Sequence, residues 1–292
     1  MSRTEDNIGQ RAFRDTCLVQ PGACLASGAS ALDGRTFASG REQHSPAQVF
    51  LSGLLANKLL ADLPGEDFAR LLPYLMPISL SSGEDLNELG EGTHFAYFPE
   101  TAVISHLHIL GDGEMIEAEM IGKEGMIGLS AIFNMSQPAY LTHATVPGTA
   151  LRVRTEFLKL EFARGGALQR LLLGYVGERI AQLSQRAVCH GRHGLKERLC
   201  SWLLMVHDRA AEDQLPLTHE QIANHLGVRR AGVTEAVTAL RNSRIIGSSR
   251  GQVHILDREA LEAAACECYQ MLPSSVRNAS NVRANGYRRS RS

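Results

Sequence analysis

The alternation of apolar and polar positions divides the chain into a strand-rich middle part and largely helical flanks. Between positions 49 and 75 leucines recur at helical spacing, and Pro64 starts a second helix there. Short strands follow, separated by glycine-containing turns such as Gly111-Asp-Gly113. From Glu114 to Ile121 apolar and acidic side chains alternate, which predicts an antiparallel strand with one exposed face. This pattern is typical of a small β-barrel or roll.

A long helix is predicted after the strands, from Thr155 to Ala187, and another from Arg192 to Asp208. The long helix carries an apolar stripe made of Leu168, Leu172, Val176, Ile180 and Leu183. A lone surface helix would show a similar stripe, but a position between two domains favours a dimer interface. Gly174 and Gly177 each cost about 1 kcal/mol relative to Ala in a helix interior, and close approach of a partner helix would explain them.

The segment from Leu217 to Leu240 predicts two short helices joined by a tight turn. Thr218 begins the first helix with a capping box, and Gly227 ends it in a left-handed conformation. Two apolar runs at 245–246 and 253–255 then flank a glycine-containing turn and predict a β-hairpin. This order is typical of a winged helix-turn-helix, whose second helix enters the major groove of DNA. The alternative is a helical hairpin that does not contact DNA.

Six residues of this C-terminal region are predicted to contact DNA: Thr218, His219, Arg229, Arg230, Thr234 and Arg250. The donor fork of an arginine matches O6 and N7 of guanine, and a threonine suits a thymine methyl group or a phosphate. We therefore expect Arg230, in the first turn of the second helix, at base edges. His219 and Arg250 are expected at the phosphate backbone.

Composition and charge agree with this interpretation. The 292 residues, with 44% hydrophobic content, suffice for about two domains with their own cores. The formal net charge is only -1, but acids outnumber bases between Val49 and Val188, whereas the part after Cys189 is net basic. A basic end fits contact with nucleic acid. Without an apolar run of membrane-spanning length or a secretory signal, we expect a cytoplasmic protein that does not contact a membrane.

The sequence offers no pattern that indicates a metal site, a cofactor or catalysis. The 6 cysteines show no C-x-x-C pair and no zinc-like quartet, so we interpret them as reduced packing residues. His106 and His108 could bind a metal or haem with His94 or His143, but a solvated strand face is the favoured interpretation. No phosphate-binding glycine loop, nucleophile elbow or paired-histidine motif is present. The chain is therefore not expected to be an enzyme.

From Val49 to Tyr269 the chain resembles the Crp/Fnr family of bacterial transcription regulators. The motifs that carry the resemblance are Tyr97-Phe-Pro99, Gly111-Asp-Gly113, Gly122-Lys-Glu-Gly-Met-Ile-Gly-Leu129, the long helix and Thr218 to Ile255. The resemblance implies an α+β fold with an antiparallel β-roll like a cyclic-nucleotide-binding domain, a dimerisation helix and a C-terminal winged helix-turn-helix. It also implies a homodimer on an inverted-repeat site in double-stranded DNA, with RNA polymerase as a further candidate partner. By position, Arg230 would read guanine, and Thr218 and His219 would contact phosphates.

The chain departs from this family at functional positions. Ala231 and Glu235 stand where well-known members carry a Glu and a second base-reading Arg, so their operator sequence is not expected to apply. Pro138-Ala139 and Met126 stand where nucleotide-binding members hold the phosphate and the ribose, and a phosphate without its arginine loses a bidentate contact. We therefore expect a regulator that is independent of cyclic AMP.

The predicted domains are a disordered extension (1–48), the β-roll (49–165), the dimerisation helix (166–190), the winged helix-turn-helix (191–262) and a C-terminal helix end with a basic tail (263–292). Two alternatives stay open. In the first, the roll responds to an unidentified effector, namely haem, a nucleotide or a thiol signal, although Cys17 and Cys24 alone cannot supply four ligands to an iron–sulfur cluster. In the second, the winged helix binds a protein instead of DNA.

Overall fold

The computed structural model describes residues 55–87, 94–133, 140–210 and 212–277. The predicted N-terminal extension with Cys17 and Cys24, the Pro138-Ala139 pair and the tail beyond Arg277 lie outside these residues. The described chain has the predicted α+β architecture, in which antiparallel sheets are followed by a long helix and then by a helix-turn-helix domain.

Two short helices lead into the sheets, α1 (Lys58–Ala61) and α2 (Gly65–Leu71). Pro64 immediately precedes α2, as the sequence predicted, because its fixed φ angle suits the start of a helix. Leu60 and Leu71 are buried in one cluster with apolar side chains of the first sheet, so both helices close one side of the roll.

The roll consists of two three-stranded antiparallel sheets. The strand order in the first sheet is β1 (Met76–Leu80), β6 (Gly148–Arg154) and β2 (Phe95–Pro99). In the second sheet it is β4 (Met115–Ile121), β3 (Val103–Ile109) and β5 (Leu141–Val146), with a short helix α3 (Leu129–Ile132) between β4 and β5 in the chain. Tyr97 of the first sheet and Ile104 of the second belong to one buried cluster, so the two sheets share a core.

The expectation that β4 exposes its acidic face is wrong. Glu117 is only 1% exposed, and the Glu119 side chain is largely covered. The helices that follow the roll lie over this face, and Arg186 and Arg179 of the long helix pair with the two carboxylates. Burying both acids is tolerable because each has a cationic partner, whereas an unpaired charge in the interior would be costly.

The helix predicted from Thr155 to Ala187 is divided into α4 (Thr155–Ala163) and α5 (Ala167–Arg192). Gly165 and Gly166 separate the two parts with φ angles of 75° and 87°, which an L-residue in a helix does not adopt. The next helix, α6 (Leu195–Arg209), begins three residues later than predicted. No helix within the described ranges is long and apolar enough to cross a membrane.

The C-terminal domain continues with β7 (Gln214–Leu215), α7 (His219–Leu226), α8 (Arg230–Asn242), β8 (Ile246–Ser249), β9 (Gln252–Ile255), α9 (Arg258–Ala264) and α10 (Ser274–Arg277). Its strands form an antiparallel sheet in the order β7-β9-β8. Helix α6 packs Leu199, Trp202 and Leu203 into the core under α7 and α8, as predicted. Met120 of β4 belongs to the same cluster, so the roll and this domain share one continuous core.

Candidate nucleic-acid interface

The helix-turn-helix contains the capping box and the left-handed glycine that were predicted from the sequence. The backbone N–H of Gln221 donates to Thr218 Oγ1 at 3.2 Å, and the backbone N–H of Thr218 donates to Gln221 Oε1 at 2.9 Å. This reciprocal capping box starts α7. Gly227 ends the helix with a φ of 62°, which is the left-handed conformation that glycine favours. Helix α8 then begins at Arg230.

Helix α8 has one buried and one exposed face. Val233, Val237 and Leu240 are buried against α6 and α7. The exposed side chains are those of Arg230, Ala231, Thr234, Glu235, Thr238, Arg241 and Asn242. Arg229 is the exposed N-cap, so two guanidinium groups lie at a helix N-terminus, where backbone N–H groups also favour anions.

Two of the predicted DNA contacts, His219 and Thr234, lie together. Nδ1 of His219 is 3.1 Å from Oγ1 of Thr234, which also donates to the backbone oxygen of Arg230 at 3.1 Å. The nearest acid to Arg230 is Glu220, at 3.7 Å, with both side chains well exposed. Such an exposed pair is weak, so the Arg230 side chain is available to a ligand.

The wing approaches the start of α7. Ser249 of β8 pairs with Gln252 of β9, which leaves Arg250 and Gly251 as the two-residue turn at the wing tip. Arg250 is exposed and has a φ of 41°. A Cβ atom on Gly251 would lie 3.3 Å from Cγ2 of Thr218. The fold therefore brings Thr218 next to the wing turn that carries Arg250.

Two exposed arginines were missed by sequence reasoning. Arg241 lies at the end of α8, and Arg244 follows it with a φ of 56°. Helical spacing would have found Arg241, because positions 230, 234, 238 and 241 fall on one face of a helix. No local pattern in the sequence indicates Arg244, which follows the end of α8 and has a left-handed backbone conformation.

The predicted dimerisation stripe is split by the fold. Leu168 and Leu172 are 3% and 0% exposed in the core of the chain itself, so their assignment to a subunit interface is corrected. Val176 is half-buried, whereas Ile180 and Leu183 are exposed. One face of α5 packs on the roll through Leu172 and through the ion pair of Arg186, whereas Ile180 lies outside these contacts.

Two further apolar side chains, Leu173 and Val188, are exposed on α5 and were not predicted. Apart from the neighbouring residues and the adjacent backbone of α5, no atom of the described chain lies within 4 Å of a Cβ placed on Gly174 or Gly177. In the described chain the exposed part of α5 therefore combines large apolar side chains with two glycines that have open space beside them.

The glycine-rich loop of the roll is attached to α5. The Met126 backbone N–H donates to the Tyr175 hydroxyl at 3.1 Å, and that hydroxyl donates to the Met126 backbone oxygen at 3.2 Å. Burial raises the pKa of Tyr175, so the hydroxyl stays neutral and can donate. Met126 itself is 2% exposed, and a side chain on Gly125 would collide with the Tyr175 hydroxyl.

The histidines of the roll do not form a site together. His106 is buried, stacks on Tyr140 with ring centroids 4.1 Å apart and places Nδ1 2.9 Å from Glu119, so its interpretation as solvated is wrong. His108 is exposed, and His143 contacts Asp85.

Within the described residues, the four metal-ligand side chains that do converge are Cys189, His193, Cys266 and Cys268. That three of the cysteines lie together with a histidine was not predicted from the sequence.

Comparison with known proteins agrees with this geometry. Residues 197–264 match the family model of the Crp-like helix-turn-helix domain. The protein flp of Lacticaseibacillus casei, described as a probable transcriptional regulator, is 24% identical over 178 residues, which are 56% of this chain and 80% of that protein.

Solved structures with a similar fold include a Crp-family transcriptional regulator from Thermus thermophilus, with a TM-score of 0.55, 19% identity and coverage of 64% of this chain and 96% of that one. FixK2 from Bradyrhizobium japonicum gives a TM-score of 0.56 at 18% identity, and the match covers 66% of this chain and 98% of FixK2. At these identities the likeness shows the fold.

The fold and the site thus define a chain with a Crp-like helix-turn-helix domain at residues 197–264, which follows an antiparallel β-roll and a long helix. The similarity to Crp/Fnr-type proteins that the sequence resemblance implied is thus found in the helix-turn-helix domain by the family model and in the fold by the solved structures.

Proposed function

We propose that the chain is a homodimeric, sequence-specific DNA-binding regulator that acts independently of cyclic AMP. The observation that carries the proposal is the exposed first turn of α8, where Arg229 and Arg230 project beside Thr234. A recognition helix contacts base edges through its N-terminal residues. Arg230 is the base-reading side chain in this proposal, because a guanidinium matches the acceptor pair of guanine.

The phosphate contacts come from residues around that turn. Thr218 and His219 lie at the N-terminus of α7, and Arg250 lies at the wing tip beside them. Helix N-termini and exposed arginines both bind phosphate oxygens. These contacts would orient α8 in the groove without reading the sequence.

The subunit interface is proposed on the exposed part of α5. Leu173, Val176, Ile180, Leu183 and Val188 are the apolar residues of this interface. Steps of three or four residues relate the first four, which is the spacing of a helix that packs along a partner helix. Two copies related by a two-fold axis would place their α8 helices about 34 Å apart, one turn of DNA, on an inverted repeat.

Independence from cyclic AMP is supported by the loop at Met126. A ribose contact at that position would need a polar side chain, whereas Met126 is buried in the apolar core behind Tyr175. The alternative of a different effector in the roll stays open, as does binding of RNA polymerase by the DNA-bound dimer.

The test is selection of binding sites from random double-stranded DNA with the full chain, followed by affinity measurements at several salt concentrations. We expect enrichment of an inverted repeat with half-sites about 10 base pairs apart. The Arg164→Ala variant is the matched control, since Arg164 is an exposed arginine outside the C-terminal domain. Failure to enrich any sequence, with equal weak binding to all DNA, would overturn the proposal in favour of a protein-binding winged helix.

A further inference from the structure

Two distant segments of the chain meet at the end of the long helix. Cys189 lies in the last turn of α5, and His193 is the residue that caps this helix. Cys266 and Cys268 lie just after α9, on either side of Glu267. The three sulfur atoms and one ring nitrogen all lie within 4.8 Å of one another. Cys266 and Cys268 are buried, and Cys189 is half-buried.

Two of the six donor separations agree with the edges of a tetrahedron around one metal ion. The sulfur atoms of Cys189 and Cys266 are 3.6 Å apart, and Nδ1 of His193 is 3.5 Å from the sulfur of Cys268. With Zn–S bonds of about 2.3 Å and Zn–N bonds of about 2.0 Å, tetrahedral edges are about 3.8 Å between sulfurs and about 3.5 Å between sulfur and nitrogen. A disulfide would need its sulfurs about 2.05 Å apart.

The groups around the cluster orient its ligand atoms. Nε2 of His193 lies 3.1 Å from the Glu267 carboxylate, which leaves Nδ1 directed at the thiols. A carboxylate on the far nitrogen is the usual partner of a metal-binding histidine. The Gln185 amide donates to the Cys268 sulfur at 3.1 Å, so one ligand sulfur already has the hydrogen bond that stabilises a thiolate.

We propose that Cys189, His193, Cys266 and Cys268 bind one Zn²⁺ ion in a closed structural site. Three thiolates and one imidazole are a ligand set of structural zinc sites, and four protein ligands leave no open position for catalysis. Soft thiolate ligands disfavour Mg²⁺ and Ca²⁺. A four-iron cluster would hold each ligand on a separate iron and spread the ligands, whereas these four donor atoms all lie within 4.8 Å of one another.

The proposed ion joins the dimerisation helix to the DNA-binding domain. Its ligands come from both sides of the junction between α5 and α6, and Ser201 of α6 contacts the Cys266 sulfur at 3.0 Å. Zinc would therefore restrict rotation of the recognition helix relative to the dimer axis. This consequence rests on the proposed DNA-binding function, but the metal site itself does not.

The metal site is tested on the full chain, purified under reducing conditions, by elemental analysis and by titration with Co²⁺. We expect one zinc per chain, and Co²⁺ at one equivalent should give the visible bands of tetrahedral cobalt with sulfur-to-metal charge transfer. Cys268→Ser should abolish these bands. Cys200→Ala is the control, because Cys200 is a buried thiol outside the cluster.

A second variant keeps the test valid if cysteine variants do not fold. Glu267 has an exposed side chain, so Glu267→Gln should fold and weaken zinc affinity about 10-fold through the orientation of His193. Wild-type protein without thiolate-to-cobalt absorption would overturn the proposal. So would stoichiometric Cu⁺ in place of zinc, or a Cys189–Cys266 disulfide in the reduced preparation.

The effect on DNA is measured separately, with an inverted repeat and with a single half-site. We expect removal of zinc to weaken binding to the inverted repeat at least about 10-fold more than binding to the half-site, since only the repeat depends on the angle between two recognition helices. An equal loss of affinity for both DNAs would contradict the proposal that zinc restricts rotation of the recognition helix, but it would not contradict the metal site. Absence of DNA binding with zinc bound would contradict the proposed function alone.

Discussion

Glu117 on strand β4 and Arg186 on helix α5 form an ion pair, 2.7 Å between Oε1 and Nη1, in which the glutamate side chain is completely buried. Trp202 donates its indole N–H to the same carboxylate at 3.2 Å, and Ser105 donates its hydroxyl at 2.7 Å. His225 of the first helix of the helix-turn-helix places Nδ1 2.7 Å from Oε2, although without the alignment of a hydrogen bond. One carboxylate thus joins the roll, the long helix and the DNA-binding domain.

The first prediction concerns the pH dependence of stability. Burial acts to raise the pKa of Glu117, but the neighbouring Arg186 and His225 overcome it and hold the value at about 2, against 4.5 for a free glutamate. A lowered folded-state pKa stabilises the fold above the unfolded-state pKa, and this contribution disappears as pH falls from about 4.5 toward 2. Glu119, whose pKa is held at about 2 against burial by His106 and Arg179, acts in the same direction.

We expect Glu117→Gln to lower the free energy of unfolding at pH 7 by roughly 3–5 kcal/mol, because it leaves the largely covered guanidinium of Arg186 without its charged partner. The variant should also lose less stability than wild type between pH 4.5 and pH 2. Urea unfolding across this pH range measures both effects, with Glu114→Gln, at an exposed carboxylate, as the control. Parallel pH profiles of the Glu117 variant and wild type would contradict the prediction.

The second prediction separates base reading from phosphate contact. Arg230→Ala should cost about 1–3 kcal/mol at the selected site and relax the preference at one base pair of each half-site. Binding-site selection with the variant beside wild type provides the measurement. If the selected motif is unchanged and affinity falls equally on random DNA, Arg230 contacts phosphate and the assignment of the base-reading residue is wrong.

A third prediction concerns the wing. Arg250→Ala should weaken binding to all sequences alike and reduce the slope of log affinity against log salt by about one unit, because one phosphate contact is lost. Titrations at four or more salt concentrations, on specific and random duplexes, give this slope. A change in sequence preference would instead place Arg250 in a groove.

The fourth prediction tests the subunit interface. Ile180→Glu combined with Leu183→Glu should yield monomers and abolish binding to the inverted repeat, because two charges would be buried between the helices. Leu160→Glu is the matched control, since Leu160 and Ile180 are both 63% exposed but only Ile180 lies on α5. Sedimentation that shows a wild-type monomer at micromolar concentration, with DNA affinity still high, would exclude this interface.

The fifth prediction concerns the roll. Cyclic AMP or cyclic GMP at millimolar concentration should leave the melting temperature unchanged, because a ligand that binds the native state with useful affinity raises it. Differential scanning fluorimetry and calorimetric titration measure this directly. A saturable shift with one site per chain would show that the buried Met126 loop opens to admit a nucleotide.

The helix-turn-helix and the wing could be predicted from the sequence because their signals are local. The capping box at Thr218, the left-handed Gly227 and the spacing of Val233, Val237 and Leu240 act within a few residues of one another. The first two signals specify a backbone conformation, and the third specifies the buried face of a helix. The positions of the predicted DNA contacts on that frame follow from the same short-range geometry.

The tertiary structure alone decided which faces are covered and which distant side chains meet. The sequence pattern does not distinguish Leu172, buried on the roll, from Ile180, exposed further along the same helix, because both satisfy one period. The alternation of apolar and acidic side chains along β4 distinguishes two faces of the strand. It does not predict that the helix carrying Arg186 covers the acidic face. Cys189 and Cys266 are 77 residues apart, and their approach depends on the packing of three helices, which no spacing rule in the sequence encodes.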